Sequence, residues 1–227
     1  VWAEIPFISR MNKDPKAHEN AMEQMKELIY QNYNHSSICF WGISNEITIA
    51  GDIPGLTDNL RELDELVKSI DKTRLTTMAQ VSMLPMDSEH NQITDILAYN
   101  LYFGWYGGKY TDNEVWLYKF RAMHPNRAVG LSEYGCEGII SWHSNTPECK
   151  DYTEEYQAEY HEHMAKLLDE RPEIWGSYVW NMFDFGCDMR DEGGVKGRNN
   201  KGLVTIDRKI KKDSFYLYKA YWSDESF

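Results

Sequence analysis

The feature that most restricts the fold of this chain is its regular alternation of short apolar runs with amphipathic helical stretches. The first run, residues 1–5, stops at Pro6. A helix is predicted over about 15–33, with Ala21, Met25, Leu28, Ile29 and Tyr33 on one face at three- and four-residue spacing and Pro15 in the first turn. Residues 38–43 form an uninterrupted apolar run, which suits a strand covered on both faces, and it stops at Ser44-Asn45-Glu46. Leu56, Leu60, Leu63, Val67 and Ile70 mark a second helix, and strands are predicted at 75–79 and 96–101. A helix over about 113–123 leads to a strand at 128–131 that ends at Ser132-Glu133. A long helix follows over 153–170, with Asp151 and Glu154 as its capping box. A strand at 178–183, a glycine-rich loop at 186–202 and a short helix at 214–221 complete the pattern.

Strands that alternate with helices imply a parallel sheet with right-handed crossovers. Six strands are too few to close an eight-stranded barrel. The pattern therefore predicts an α/β chain, a (β/α)8 TIM barrel lacking its first two β/α units, as one domain over 1–227 running from the third barrel strand to the C-terminal helix. A doubly wound open sheet is the alternative, but no Gly-x-Gly-x-x-Gly turn serves a dinucleotide. The chain opens on Val1-Trp2-Ala3 without a methionine, which reads as a piece of a longer protein, so the missing signal peptide carries no information about compartment.

Composition excludes several function classes. Eight Trp, fifteen Tyr and eight Phe supply too much buryable surface for a disordered chain. No run reaches the roughly 18 apolar residues of a membrane helix, so no membrane partner is expected. With 24 basic against 36 acidic residues, a net charge of −12, the chain lacks the electrostatic footprint of a nucleic-acid binder. Its one dense basic run, Arg208-Lys209-Ile210-Lys211-Lys212, reads as a solvated turn. Cys39, Cys136, Cys149 and Cys187 are too widely spaced for a zinc site and are expected to be free thiols.

In a parallel architecture the polar residues at the carboxyl ends of strands line the functional crevice. Glu46 and Glu133 both occupy such ends, after Asn45 and Ser132. Either alone reads as a solvated or helix-capping acid; together they suit cleavage of a glycosidic bond, where one carboxyl protonates the leaving oxygen and the other attacks or stabilises the anomeric carbon. Trp105, Tyr106, Trp142 and Trp180 fall in loops that would ring the same mouth, while Trp41, Trp116 and Trp175 read as core. His90 and His143 read as surface loop residues.

Five blocks in order carry a resemblance: Trp41-Gly42-Ile43-Ser44-Asn45-Glu46, Tyr102 with Gly104-Trp105-Tyr106, Ser132-Glu133-Tyr134-Gly135, Val179-Trp180-Asn181 with Phe183-Asp184-Phe185, and Asn199-Asn200-Lys201-Gly202 with Asp207-Arg208-Lys209. Together they resemble the catalytic barrel of glycoside hydrolase family 2, which includes β-galactosidases, β-glucuronidases and β-mannosidases. The resemblance implies a retaining enzyme with Glu46 as general acid/base and Glu133 as nucleophile. Asn45 would bond the sugar 2-hydroxyl, Tyr102 would hold Glu133, Trp105 would join the substrate site, and Trp180 would floor the sugar subsite.

Specificity divides on two features. Asn199 and Lys201 match the Asn-x-Lys pair with which the family's β-glucuronidases grip the sugar carboxylate, although Lys201 could equally pair with Asp184 or Asp207. The neighbouring run 190–198 looks more like bacterial β-galactosidases, and a β-galactoside is the leading expectation. Cys136 stands where some family galactosidases carry a sugar-contacting histidine, and residues 5–9 offer none of the ligands with which they bind magnesium. No catalytic metal or other cofactor is expected. The partners implied are a carbohydrate substrate, upstream β-sandwich domains of a parent chain and, because an open barrel leaves edges to cover, a further copy of the chain. Loss of turnover with retained sugar binding is the reading of a different class.

Overall fold

The computed structural model describes residues 1–223. Its strands are β1 (Trp2–Glu4), β2 (Phe40–Asn45), β3 (Leu75–Val81), β4 (Leu97–Asn100), β5 (Val129–Tyr134) and β6 (Ser177–Val179), in the sheet order β1-β2-β3-β4-β5-β6. Helices α1 (Pro15–Asn32), α2 (Leu56–Ile70), α3 (Asp112–Met123) and α4 (Glu154–Asp169) separate them, and α5 (Asp213–Trp222) follows. The β1–β2, β2–β3, β3–β4 and β5–β6 pairs are parallel. A monotonic strand order is that of a TIM barrel; a doubly wound sheet reverses its order at a switch point. No helix among the described residues is long and apolar enough to cross a membrane.

The chain divides into two compact units, Val1–Asn100 with Phe120–Gly130, and Leu101–Lys119 with Leu131–Phe227. In the first, Asp14 caps α1 by accepting from the Lys16 amide at 3.0 Å, and Ala21, Met25 and Ile29 form the buried stripe. Leu56, Leu60, Leu63 and Val67 do the same for α2. Both faces of β2 and β3 are covered, as the unbroken apolar run 38–43 requires. Gly42 is compelled by close approach, since a Cβ there would lie 2.2 Å from Trp2 Nε1 and 2.5 Å from Glu4 Cβ. Glu4 is exposed at the end of β1, yet desolvation of its carboxyl raises its pKa to about 7, with the Trp2 side chain pulling the other way. Trp41, fully buried, donates from Nε1 to Asp71 Oδ2 at 3.0 Å, which fastens β2 to the end of α2.

In the second unit α4 buries Tyr156, Tyr160, Met164 and Leu167. Its cap is Thr153, whose hydroxyl accepts from the Tyr156 amide at 3.2 Å; Asp151 instead accepts from the Thr153 amide and hydroxyl, both at 2.8 Å. The expected Asp151 capping box is therefore corrected to a Thr153 cap. Strand β6 is shorter than the apolar run 178–183 suggested: the Trp180 amide still bonds to β5, but from Asn181 onward the backbone pairs with Lys201 to Val204 instead. The glycine-rich loop contains a small antiparallel pair, β7 (Phe185–Gly186) with β8 (Arg198–Asn199).

Two further expectations fail. Lys212 does not sit in a solvated turn: it is fully buried, and its ammonium donates to Asp184 Oδ1 at 2.8 Å and to the carbonyls of Gly138 at 2.6 Å and Asn200 at 3.0 Å. His90 is buried rather than a surface residue, with Nε2 3.0 Å from Thr57 Oγ1. A hydrophilic side chain is recognised from sequence as exposed only when nothing distant supplies partners.

Candidate active site

Asn45 and Glu46 belong to the first unit. Asn45 ends β2, where its amide donates to the Phe7 carbonyl at 3.0 Å and its Oδ1 accepts from Asn100 Nδ2, at the end of β4, at 3.1 Å. Glu46 follows with φ 47° and donates its amide to the Ala79 carbonyl at 2.8 Å. A left-handed conformation at a residue with a Cβ costs about 1–2 kcal/mol and is tolerated where the surroundings fix a side chain for use.

The remaining candidates belong to the second unit. Glu133 lies within β5, which runs one residue further to Tyr134 rather than stopping before the glutamate. Its carbonyl accepts from the Leu101 amide at 2.9 Å, and its Oε2 accepts from the Tyr102 hydroxyl at 2.6 Å. The chain that leaves β4 therefore carries Tyr102 directly to this carboxylate. The same turn presents Tyr106, whose ring meets Tyr102 edge-on at 5.2 Å.

Lys201 is 1% exposed. Its ammonium donates to the Tyr106 hydroxyl at 2.7 Å and lies 4.7, 5.4 and 5.9 Å from the ring centroids of Tyr106, Tyr102 and Trp105. Only one carboxylate oxygen among the described residues is within ion-pair distance, Glu137 Oε1 at 4.0 Å. Burial, and next the Arg190 guanidinium, pull the Lys201 pKa down to about 8, against the opposing pull of Glu137, Glu192 and Cys136. The suggested pairing of Lys201 with Asp184 or Asp207 is absent among the described residues: Asp184 is taken by Lys212, and Asp207 by Thr205 and Lys209. Asn199, buried at the end of β8, accepts from the Lys201 amide at 3.1 Å through Oδ1.

Trp180 is 36% exposed, held by its amide to the Tyr134 carbonyl at 2.9 Å and edge-on to Phe185 at 6.2 Å. Trp105 departs from the expectation of a substrate contact. It is fully buried against Tyr152, at 4.9 Å, and presents no exposed face; its ring centroid lies 5.9 Å from the Lys201 ammonium. Trp142 is exposed, with its ring 6.1 Å from that of Tyr152.

Three residues enter this site that the sequence did not single out for it. Glu137 accepts from Arg190 Nε at 2.9 Å and again from Arg190 Nη2, both through Oε1, and from the Asn200 amide at 2.9 Å through Oε2. Arg190 also reaches the Tyr106 hydroxyl at 3.3 Å. Lys212 is the third, through the Asn200 carbonyl. The one local signal was an acid set among small residues just past a strand, Gly135-Cys136-Glu137-Gly138. No group of three or more His, Cys, Asp or Glu among the described residues is placed to hold a metal.

Comparison with known proteins follows this geometry. The model for glycosyl hydrolases family 2, TIM barrel domain, matches residues 3–225. The crystal structure of an FMN-binding β-glucuronidase from Facaelibacterium prausnitzii L2-6 is 64% identical at TM-score 0.96, covering 98% of this chain and 34% of that one. A Bacteroides fragilis β-glucuronidase is 42% identical over 99% of this chain and 33% of its own length. Bacteroides uniformis β-glucuronidase 2, solved covalently bound to cyclophellitol-6-carboxylate aziridine, is 35% identical at TM-score 0.92, covering 99% of this chain and 28% of that one. Names among the matched proteins include both β-glucuronidase and β-galactosidase. The chain spans about a third of the length of the first curated relatives it matches. A barrel order of strands, the motif blocks along them and a family match over nearly every residue agree, and the chain belongs to glycosyl hydrolases family 2 as its TIM barrel domain.

Proposed function

We propose that this segment is the catalytic barrel part of a longer retaining β-glucuronidase. The observation that carries the reading is Lys201. A buried ammonium whose nearest carboxylate oxygen is 4.0 Å away is an incomplete ion pair, and an anionic sugar would complete it. Asn199 adds an amide beside it. The carboxylate-bearing ligand of the Bacteroides uniformis relative supports the same chemistry. This reading reverses the order of the two specificities expected from the sequence. The β-galactosidase reading keeps the support of the run 190–198.

In the proposed reaction Glu46 protonates the glycosidic oxygen while Glu133 attacks the anomeric carbon. The bond to the leaving group breaks and a glycosyl ester forms on Glu133. Glu46, now ionised, takes a proton from water, which attacks the anomeric carbon; its bond to the Glu133 oxygen breaks, releasing the sugar and the free Glu133 carboxylate. Tyr102 holds Glu133 through its 2.6 Å hydrogen bond, Asn45 serves the 2-hydroxyl and Trp180 the sugar face. Retention requires the two carboxyls to lie about 5–5.5 Å apart. This double displacement transfers protons and a glycosyl group with no net oxidation or reduction, so the proposed steps call on no flavin such as the FMN that the Facaelibacterium prausnitzii relative binds. The other partners proposed are β-sandwich domains upstream in the same longer chain.

The test is hydrolysis of matched chromogenic β-glucuronide and β-galactoside by the longer chain, with Glu133→Gln as the blank. Glucuronide turnover lost in the blank is the expected result. Galactoside turnover without glucuronide turnover would overturn the carboxylate reading.

A further inference from the structure

Arg190 and Glu137 lie outside the reacting groups, yet both bear on Lys201. Glu137 is 1% exposed, and its Oε1, the oxygen nearest Lys201, accepts two bonds from the Arg190 guanidinium. Its Oε2 takes the Asn200 amide, so the same carboxylate holds the backbone between Asn199 and Lys201. The Asn200 carbonyl is held from the other side by the Gly138 amide at 3.0 Å and Lys212 Nζ at 3.0 Å. Arg190 is in turn steered by Glu192 Oε2 at 2.9 Å and by the Tyr106 hydroxyl, which also accepts from Lys201.

Two cations and one buried anion thus share a small volume. A forked guanidinium claims a carboxylate oxygen by geometry that a point ammonium does not match. We infer that the Arg190–Glu137 pair is a positioning device for the carboxylate clamp: by occupying Glu137 Oε1, Arg190 prevents Glu137 from neutralising Lys201 and leaves the lysine charge for the substrate. The inference rests on the glucuronide reading above. The charged and titratable groups around Lys201 are Arg190, Glu137, Glu192, Cys136, Tyr102 and Tyr106, with Glu133 beyond Tyr102. Of these, Arg190 lowers the lysine's proton affinity and Glu137 raises it, so the two partners act on the same proton in opposite directions.

The experiment measures KM and kcat for a chromogenic β-glucuronide against pH in the longer chain and its variants. In the wild type, KM rises above about pH 8, where Lys201 loses its proton. In Arg190→Gln, Glu137 closes on Lys201: KM at pH 7 rises about tenfold, kcat stays within about twofold, and the break moves to higher pH, a tenfold change in proton affinity being one pH unit. In Glu137→Gln the break moves to lower pH. Arg190→Lys, which restores a cation without the fork, retains part of the wild-type KM and serves if Arg190→Gln does not fold. Breaks that stay in place in the variants, or that move in the same direction, overturn the inference while leaving the glucuronide reading intact. A wild type that turns over no glucuronide overturns that reading and this one with it.

Discussion

Replacing Lys201 by Met should make the protein more stable while removing glucuronide turnover. The lysine's pKa is about 8 in the folded chain against 10.5 for a free side chain, and the residue is 1% exposed, so little solvent screening applies. A separation of about 2.5 at about 1.4 kcal/mol each means that keeping Lys201 charged costs the fold about 3 kcal/mol at pH 7. Methionine has nearly the same length and no charge. It forfeits the hydrogen bond to Tyr106, about 1 kcal/mol, which leaves a gain of about 2 kcal/mol. The pH dependence fixes the sign. Because the folded-state pKa lies below the unfolded one, the unfolded chain binds the proton more tightly between about pH 8 and 10.5, and wild-type stability climbs as pH rises through that window. The advantage of the variant should therefore be greatest near pH 7 and shrink by pH 9.5. Urea unfolding followed by tryptophan fluorescence at both pH values measures it. A variant less stable than wild type by more than about 1 kcal/mol at pH 7, with a difference that does not change with pH, would refute the reasoning.

Two further substitutions test neighbouring contacts. Tyr102→Phe removes the 2.6 Å bond to Glu133 and should lower kcat about 10- to 100-fold with KM changed little, as expected for a charge-assisted bond of about 1.5–3 kcal/mol; steady-state kinetics with unchanged kcat would show that Tyr102 does not orient Glu133. Asp184→Asn strips the buried Lys212 ammonium of its only carboxylate within 4 Å among the described residues and should destabilise by about 3–5 kcal/mol, with the paired change Lys212→Met/Asp184→Leu costing less; equal losses in thermal unfolding would mean that packing, not the uncompensated charge, is responsible.

The sequence by itself determined the barrel order of elements. Period and run length are local properties, and they located α1, α2 and the covered strands β2 and β3 within a few residues. Motif blocks placed Asn45 and Glu46 at the end of β2, and put Tyr102, Glu133, Asn199 and Lys201 on segments that the second unit brings together. Side-chain environment was not legible in the same way. Trp105 and Trp180 are both aromatic residues in segments that follow strands, yet one is wholly buried and the other 36% exposed. Lys212 and Lys209 stand in one basic run, yet only Lys212 finds three acceptors in the interior. Glu137 lies 53 residues from Arg190, and nothing in either neighbourhood announces the other. The division has a physical cause. Secondary structure follows from interactions a few residues apart, whereas the state of a buried charge depends on which distant groups fold around it, and only the tertiary structure decides that.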